Sequence, residues 1–314
     1  MMDHIAIETR GGIYLPEADL WLDPHRKKPH AFVSHAHADH FARHDTILCS
    51  PANAALLRAR YGGKRDYHEL PFGTPAVRNN HRIVLTPAGH ALGSAMIHVT
   101  RLSDGASLLY TGDFKIRPGL TAEAPEIHPA DTVIMETTFG LPHYQFPPLE
   151  EIRANVLDFC HGALEAKEIP LLLGYSFGKA QEILALLSGA NLPVAIHQKV
   201  IELLPPYEAA GIQFPEFSTI DPDHLTGKVH IAPPNAKHPP PPEGACYRKA
   251  MFSGWGIDPR AKYRYRCDEV FPLSDHADYP DSIEFVKRCQ PKRVLTTHGY
   301  ATEFAADLRR LGFE

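Results

Sequence analysis

The stretch SHAHADH, residues 34–40, sets His35, His37, Asp39 and His40 at the end of the apolar run 30–34. Alternate residues of an extended chain point the same way, so His35 and His37 can grip one ion. The chain must then turn, which lets Asp39 and His40 reach a second. With 20 histidines in 314 residues, the pattern HxHxDH arises by chance only about 0.005 times per chain. A solvated histidine-rich loop is the weaker reading.

Working outward, other polar residues close apolar runs. PAGHALGS (87–94) puts His90 in a glycine-flanked loop after the run 82–86, and LLYTGDFK (108–115) puts Asp113 at the end of the run 106–111. A buried, unpaired carboxylate is costly; bridging two divalent ions compensates it. Taken alone, His90 would be a loop histidine and Asp113 a helix cap. Asp23 in LWLDP, Glu136 in VIMETTFG, His276 in FPLSDHADY and His298 in VLTTHGY also follow apolar runs.

The length allows one large domain or two modest ones. At 44% hydrophobic and 22% charged residues, the composition excludes wholesale disorder. Strands are expected at 30–34, 82–86, 95–100, 106–111 and 131–136. A helix at 149–167, a strand at 170–176, a helix at 178–189 and a strand at 193–198 then alternate as in an α/β unit, which closes in the proline-rich loop 232–244. Strands at 249–254, 269–274 and 292–297 follow, with helices at 280–289 and 301–312. The expected organisation is a domain formed by 1–145 plus 249–314, interrupted by an insertion at 146–248. No apolar stretch is long enough to span a membrane, and the N-terminus has no secretory pattern. Five cysteines without a CxxC pair point to a cytoplasmic protein with reduced thiols.

HxHxDH, a GH about 50 residues on and a GD about 20 further resemble the metallo-β-lactamase superfamily over residues 13–140 and 249–300. The resemblance implies an α/β αββα sandwich with the metal site at one rim of the sheets. It implies two Zn2+ per chain: His35, His37 and His90 on one, Asp39 and His40 on the other, Asp113 bridging, and Asp23 orienting the site. Manganese also suits such donors. Glu136 after the strand, His276 in S-x-H-x-D and the terminal HG resemble the β-CASP nucleases. By that match His298 completes the second zinc, while His276 is a non-ligand histidine held by Glu136, each with an ordinary structural role as its alternative. GLPHYQFP, YSFGKAQEIL, SGWG and LSDHADY are similar to the bacterial ligase-associated DNA exonucleases, relatives of the DNA cross-link-repair nucleases. This implies a DNA exonuclease in repair, associated with a DNA ligase. Cross-link-repair enzymes tend to carry an aliphatic residue where this chain has His298, and RNA-processing relatives carry histidine, so an RNA nuclease is the alternative. A small-molecule metallo-hydrolase and a catalytically dead scaffold are weaker alternatives.

The net charge of −5 opposes a nucleic-acid partner, but residues 248–266 are locally basic. Read as a strand, Arg260, Lys262, Arg264 and Arg266 would share one face and track phosphates; a charged edge strand is the bland alternative. In GYSFGKA, Ser176 would cap a helix whose N-terminus, with Lys179, could dock a phosphate. The expected chemistry is two-metal hydroxide attack on a phosphodiester, with Asp113 positioning the hydroxide and His276, charged by Glu136, as general acid.

Overall fold

The computed structural model describes residues 4–9 and 11–314 and divides into two compact units, one formed by the residues up to Tyr144 with His276–Glu314, the other by Gln145–Asp275. The start of the N-terminal stretch, residues 1–3, lies outside the described residues.

The first unit opens with β1 (Ile13–Leu15), β2 (Leu20–Leu22), β3 (His30–Phe32), β4 (Thr46–Cys49), α1 (Pro51–Tyr61) and β5 (Asp66–Glu69). These five strands form one sheet in sequential order, antiparallel between β1 and β2 and parallel thereafter. A second sheet follows from β6 (Ala76–Arg78), β7 (His81–Pro87), β8 (Ala95–Arg101), β9 (Ser107–Tyr110) and β10 (Thr132–Glu136). The two-residue period of its strands sorts their side chains. Ile97, Val99, Leu108, Tyr110 and Ile134 meet Leu20, Leu22 and Phe32 of the first sheet. Met96, Leu109, Val133 and Met135 face the other way, into a second core. Burial on both faces is why these runs are continuously apolar.

The second unit holds α2 (Leu149–Glu165), β11 (Ile169–Leu173), α3 (Lys179–Leu186), β12 (Val194–Ile196), α4 (Gln198–Ile201), α5 (Leu204–Ala209), β13 (Ser218–Thr219), β14 (Val229–Ala232), β15 (Tyr247–Phe252), α6 (Ala261–Tyr265) and β16 (Glu269–Phe271). Its six strands are all parallel, in the order β13-β12-β14-β11-β15-β16. Ile152, Val156 and Cys160 of α2 and Ala180, Ile183 and Leu184 of α3 cover one face, and Ala261 of α6 packs on the other. The chain then re-enters the first unit through α7 (Tyr279–Cys289), β17 (Arg293–Thr297) and α8 (Ala301–Arg310). β17 adds to the second sheet beside β10 in parallel register. Phe285, Val286 and Cys289 of α7 and Phe304 and Leu308 of α8 seal that sheet's outer face. Helix–sheet–sheet–helix layering is thus the architecture of the first unit, within a mixed α/β molecule.

Two expectations are corrected. The return to the first unit falls at His276 rather than at residue 249, because β15 and β16 extend the parallel sheet of the second unit. The basic stretch 260–266 is not a strand: Asp258 turns the chain by accepting the Arg260 N–H, and α6 begins at Ala261. No helix among the described residues is long and apolar enough to cross a membrane.

His230 lies buried on central β14, and its Nε2 has no hydrogen-bond partner. Burial pushes its pKa down to about 4, so between pH ~6.5, the ordinary value, and 4 the unfolded chain binds the extra proton. Stability should therefore be full above the upper limit and fall as the pH drops through that window. Urea unfolding at both ends should register the loss, and His230→Leu should flatten the difference relative to wild type.

Candidate metal centre

The site is assembled where strands of the first unit end. Past β3 the backbone delivers Ser34 and His35, then turns into a short 3-10 segment, Ala38–His40. Asp23, directly after β2 in a left-handed conformation (φ 41°), anchors this turn. Its carboxylate accepts the Ser34 N–H at 2.7 Å, the Ser34 hydroxyl at 2.6 Å, the Tyr110 hydroxyl at 2.9 Å and His40 Nδ1 at 2.9 Å. Gly112 is required alongside: at φ 56° a Cβ there would stand 2.5 Å from the Ser34 side chain.

These bonds fix tautomers. Ser34 donates its proton to Asp23, so at 3.0 Å it must accept one from His35 Nδ1. His35 Nε2 is then a bare lone pair, fully buried and without a hydrogen-bond partner. Burial, then the neighbouring imidazoles, hold the His35 pKa well below its ordinary value. A neutral imidazole aiming an unused lone pair inward is what a cation requires of a ligand. His40 likewise commits Nδ1 to Asp23 and turns Nε2 inward. Burial opposes its charge, yet Asp113 and Asp23 together lift its pKa to about 10. In this field the His40 proton occupies the position that a metal cation would take over.

Asp113 follows β9 and is 8% exposed. Its two oxygens face different partners. Oδ2 lies 3.5 Å from His35 Nε2 and 3.9 Å from His90 Nε2, while Oδ1 lies 3.4 Å from His40 Nε2. His90, from the β7–β8 loop, also brings Nε2 to 3.1 Å from His37 Nδ1. Ligand atoms of His35, His37, His90 and Asp113 all lie within 4.8 Å of one another. Tetrahedral donors about 2.0–2.1 Å from an ion stand roughly 3.3 Å apart, so this set would hold a cation after a modest contraction. Burial raises the Asp113 pKa, a cost that a bound cation would reverse.

Beside this cluster, Glu136 at the end of β10 accepts the Thr138 N–H at 2.8 Å and pairs with His276 Nδ1 at 2.8 Å. Burial works against its charge, but the His276 imidazole and that hydrogen bond pull its pKa below the ordinary range. The His276 segment is held from two sides: Ala277 N–H donates to the Phe114 carbonyl at 2.8 Å, and Arg117 pairs with Asp278 and Asp281. The His276 ring is 4.9 Å from that of His90.

His298 and Asp39 are less drawn in. The His298 ring stands 5.9 Å from that of His40 in a left-handed, exposed position (φ 56°). Asp39 approaches His40 Nε2 at 3.9 Å with its side chain 74% exposed.

The expected phosphate contacts are dispersed. Lys179 is buried, donating to the Leu273 carbonyl and pairing with Asp275 at 2.7 Å. Gly178, not Ser176, is the N-cap of α3. Asp258 engages both Arg260, the residue before α6, and Arg264 within it, and Lys262 of α6 pairs with Glu269; Arg266 closes α6 in a left-handed conformation. Ser34 and Tyr110, which complete the Asp23 network, escaped the sequence reading although they lie within SHAHADH and LLYTGDFK respectively. A serine and a tyrosine at strand ends carry no signal until Asp23 is seen against them.

Residues 262–314 match the family model described as "Zn-dependent metallo-hydrolase RNA specificity domain". The chain is 48% identical to a probable DNA ligase of Opitutus terrae over 96% of its own length and 30% of that protein. It is 26% identical to human DNA cross-link repair 1A protein, covering 86% of this chain and 28% of the relative. The Arabidopsis thaliana DNA cross-link repair protein SNM1 is 24% identical, with shares of 85% and 60%. These matches support the resemblance to the β-CASP type of metallo-β-lactamase-fold proteins. The chain spans less than a third of the first two relatives. A crystal structure of an Enterococcus faecalis protein of unknown function shares this fold at TM-score 0.60 and 12% identity, over 87% of this chain and 76% of the other.

Because Asp23 locks both Ser34 and His40, Asp23→Asn should weaken the affinity for a divalent metal ion about 10- to 100-fold. Titration against a competing chromophoric chelator would measure it, and circular dichroism would check that the sheets persist.

Proposed function

We propose that this chain is a zinc-dependent phosphodiesterase that hydrolyses nucleic acid, acting as a DNA exonuclease in repair. The observation that carries the reading is the division of Asp113, one oxygen toward His35 and His90 and the other toward His40. That arrangement suits a carboxylate shared by two divalent ions. His35, His37 and His90 would hold one, and Asp39, His40 and His298 the other; the preponderance of imidazole favours zinc, with manganese compatible. When bound, such a pair supplies Lewis acidity toward the phosphoryl oxygens and an acidified water as the source of hydroxide.

The protein's own groups do the rest. Asp23 keeps Ser34, His35 and His40 in one orientation. Glu136 holds the proton on His276 Nδ1, which leaves Nε2 to donate to the departing alkoxide oxygen, a group that leaves poorly unless protonated. After the strand end departs, water restores that proton.

The cross-link-repair relatives support DNA as the substrate, and the name of the 48%-identical relative supports work beside a ligase. Five free cysteines, three of them buried, fit a reducing cytoplasm. A second reading, an RNA nuclease of the same fold, draws on His298 and on the RNA-specificity description of the model matching residues 262–314.

The test is digestion of end-labelled DNA and RNA of one sequence, single- and double-stranded, by metal-analysed protein. Mononucleotides released progressively from one DNA end are expected; no cleavage of either polymer would remove the reading. Asp113→Ala should lose bound metal and all measurable cleavage. His276→Ala should slow cleavage about 10²- to 10⁴-fold with the metal retained, and loss of metal in that variant would make His276 a ligand instead.

A further inference from the structure

Immediately after His40 the chain enters a cation-rich face of the first unit. Phe41 stacks on Tyr61 with ring centroids 4.4 Å apart and planes 17° from parallel. The pair is bound to the metal motif from both members: Phe41 is the next residue after His40, and the Tyr61 hydroxyl donates to the Ala36 carbonyl, between His35 and His37, at 3.2 Å. Guanidinium groups cap the stack at its two ends, Arg65 lying 5.2 Å from the Phe41 centroid and Arg60 5.5 Å from that of Tyr61. Arginine stacked on an aromatic face is pre-organised, and Arg65 is held further by donating to the Gly62 carbonyl.

An open cleft of about 820 Å³ lies beside this stack. Lys27, Arg43, Lys64 and Arg65 line it against only Asp45 and Asp66, a local excess of positive charge on a chain whose net charge is −5. Two hydrogen bonds hold the Lys27 segment against the Arg43 segment: the Lys28 N–H donates to His44 Nδ1 at 3.2 Å, and the Asp45 N–H to the Lys28 carbonyl at 3.1 Å. Lys27 is paired with Asp45, whereas Arg43 and Lys64 are exposed and form no ion pair among the described residues. The motif reading of residues 34–40 and the activity proposed above use none of these cations.

We infer that this cleft binds the phosphate backbone of the nucleic-acid strand being processed, with Arg43 and Lys64 contacting phosphates beyond the scissile one. The inference rests on the nucleic-acid reading above. Of the cations expected to take this role, Arg260, Lys262 and Arg264 carry local carboxylate partners, whereas Arg43 and Lys64 form no ion pair among the described residues. Neutralising phosphates releases counterions, so each such contact adds to the salt dependence of binding, by about 0.7 in slope for a single strand.

The test is fluorescence anisotropy of the metal-loaded full chain with labelled phosphorothioate oligothymidylate and oligouridylate, which resist cleavage. Arg43→Ala/Lys64→Ala should raise Kd roughly 10-fold and lower the slope of log affinity against log salt by about 1.4, two contacts at about 0.7 each. The effect should be the same for both polymers, because the phosphate is common to them. Arg82→Ala/Arg309→Ala, which removes the same charge from exposed sites elsewhere on the unit, should change Kd less than about twofold. Equal weakening by both double variants would reduce the effect to net charge and overturn the inference. So would an unchanged slope, or a loss confined to one polymer. Cleavage of unmodified strands by the wild type tests the parent reading separately: a protein that binds through Arg43 and Lys64 but never cuts would keep the cleft and lose the nuclease.

Discussion

Removing imidazoles and carboxylates from water at the end of a β-sandwich is the constraint that organises this molecule. His35, His40, His90, Asp23, Asp113 and Glu136 are all buried within one unit, and such groups are costly unless each finds a complementary charge or hydrogen bond. Asp23 solves the problem for one side by accepting four donors. Asp113 has nearby imidazoles but no comparable set of donors, and His35 retains a buried nitrogen with nothing to accept. The network is closed at its periphery and open at its centre, as a cation-binding site must be before the ion completes it.

The same economy explains why the ligands come from strand ends. A strand buried on both faces offers no room for a charged side chain until its ladder stops. His35, Asp113, Glu136 and His298 each stand at or just beyond such a stop. Parallel pairing of β9, β10 and β17 aligns three of those ends. The second sheet therefore acts as a ruler, and the excursion through the second unit still delivers His276 to within hydrogen-bonding distance of Glu136.

Legibility in the sequence follows the physics of each signal. SHAHADH, LLYTGDFK and FPLSDHADY could be read because ligand spacing and an apolar run are both local, and the long strands β7 and β8 because their periodicity is sustained. The first sheet was largely hidden: four of its five strands went unanticipated, being three or four residues long, too short for a period to register. Residues 260–266 misled because alternating charge and aromatic residues fit a strand template, while the Asp258 turn and the i,i+4 spacing of Arg260 with Arg264 belong to a helix. Lys179 misled for another reason. Nothing local announces that Asp275, nearly a hundred residues on, will claim its ammonium group.

That last case bears on how an acidic chain could handle a polyanion. Counting lysines and arginines along a sequence assumes that they are available, but an ion pair with a neighbouring carboxylate largely cancels a cation's field at a distance. Asp258 shadows Arg260 and Arg264, Glu269 shadows Lys262, and Asp275 shadows Lys179. Arg43 and Lys64 have no such partner among the described residues and sit beside a stack joined to the metal motif. At a Debye length of about 8 Å in physiological salt, what an approaching phosphate meets is the charge left unpaired nearby, and the sum over the whole chain matters far less. A net charge of −5 is consequently no obstacle to a substrate that engages only one well-arranged face.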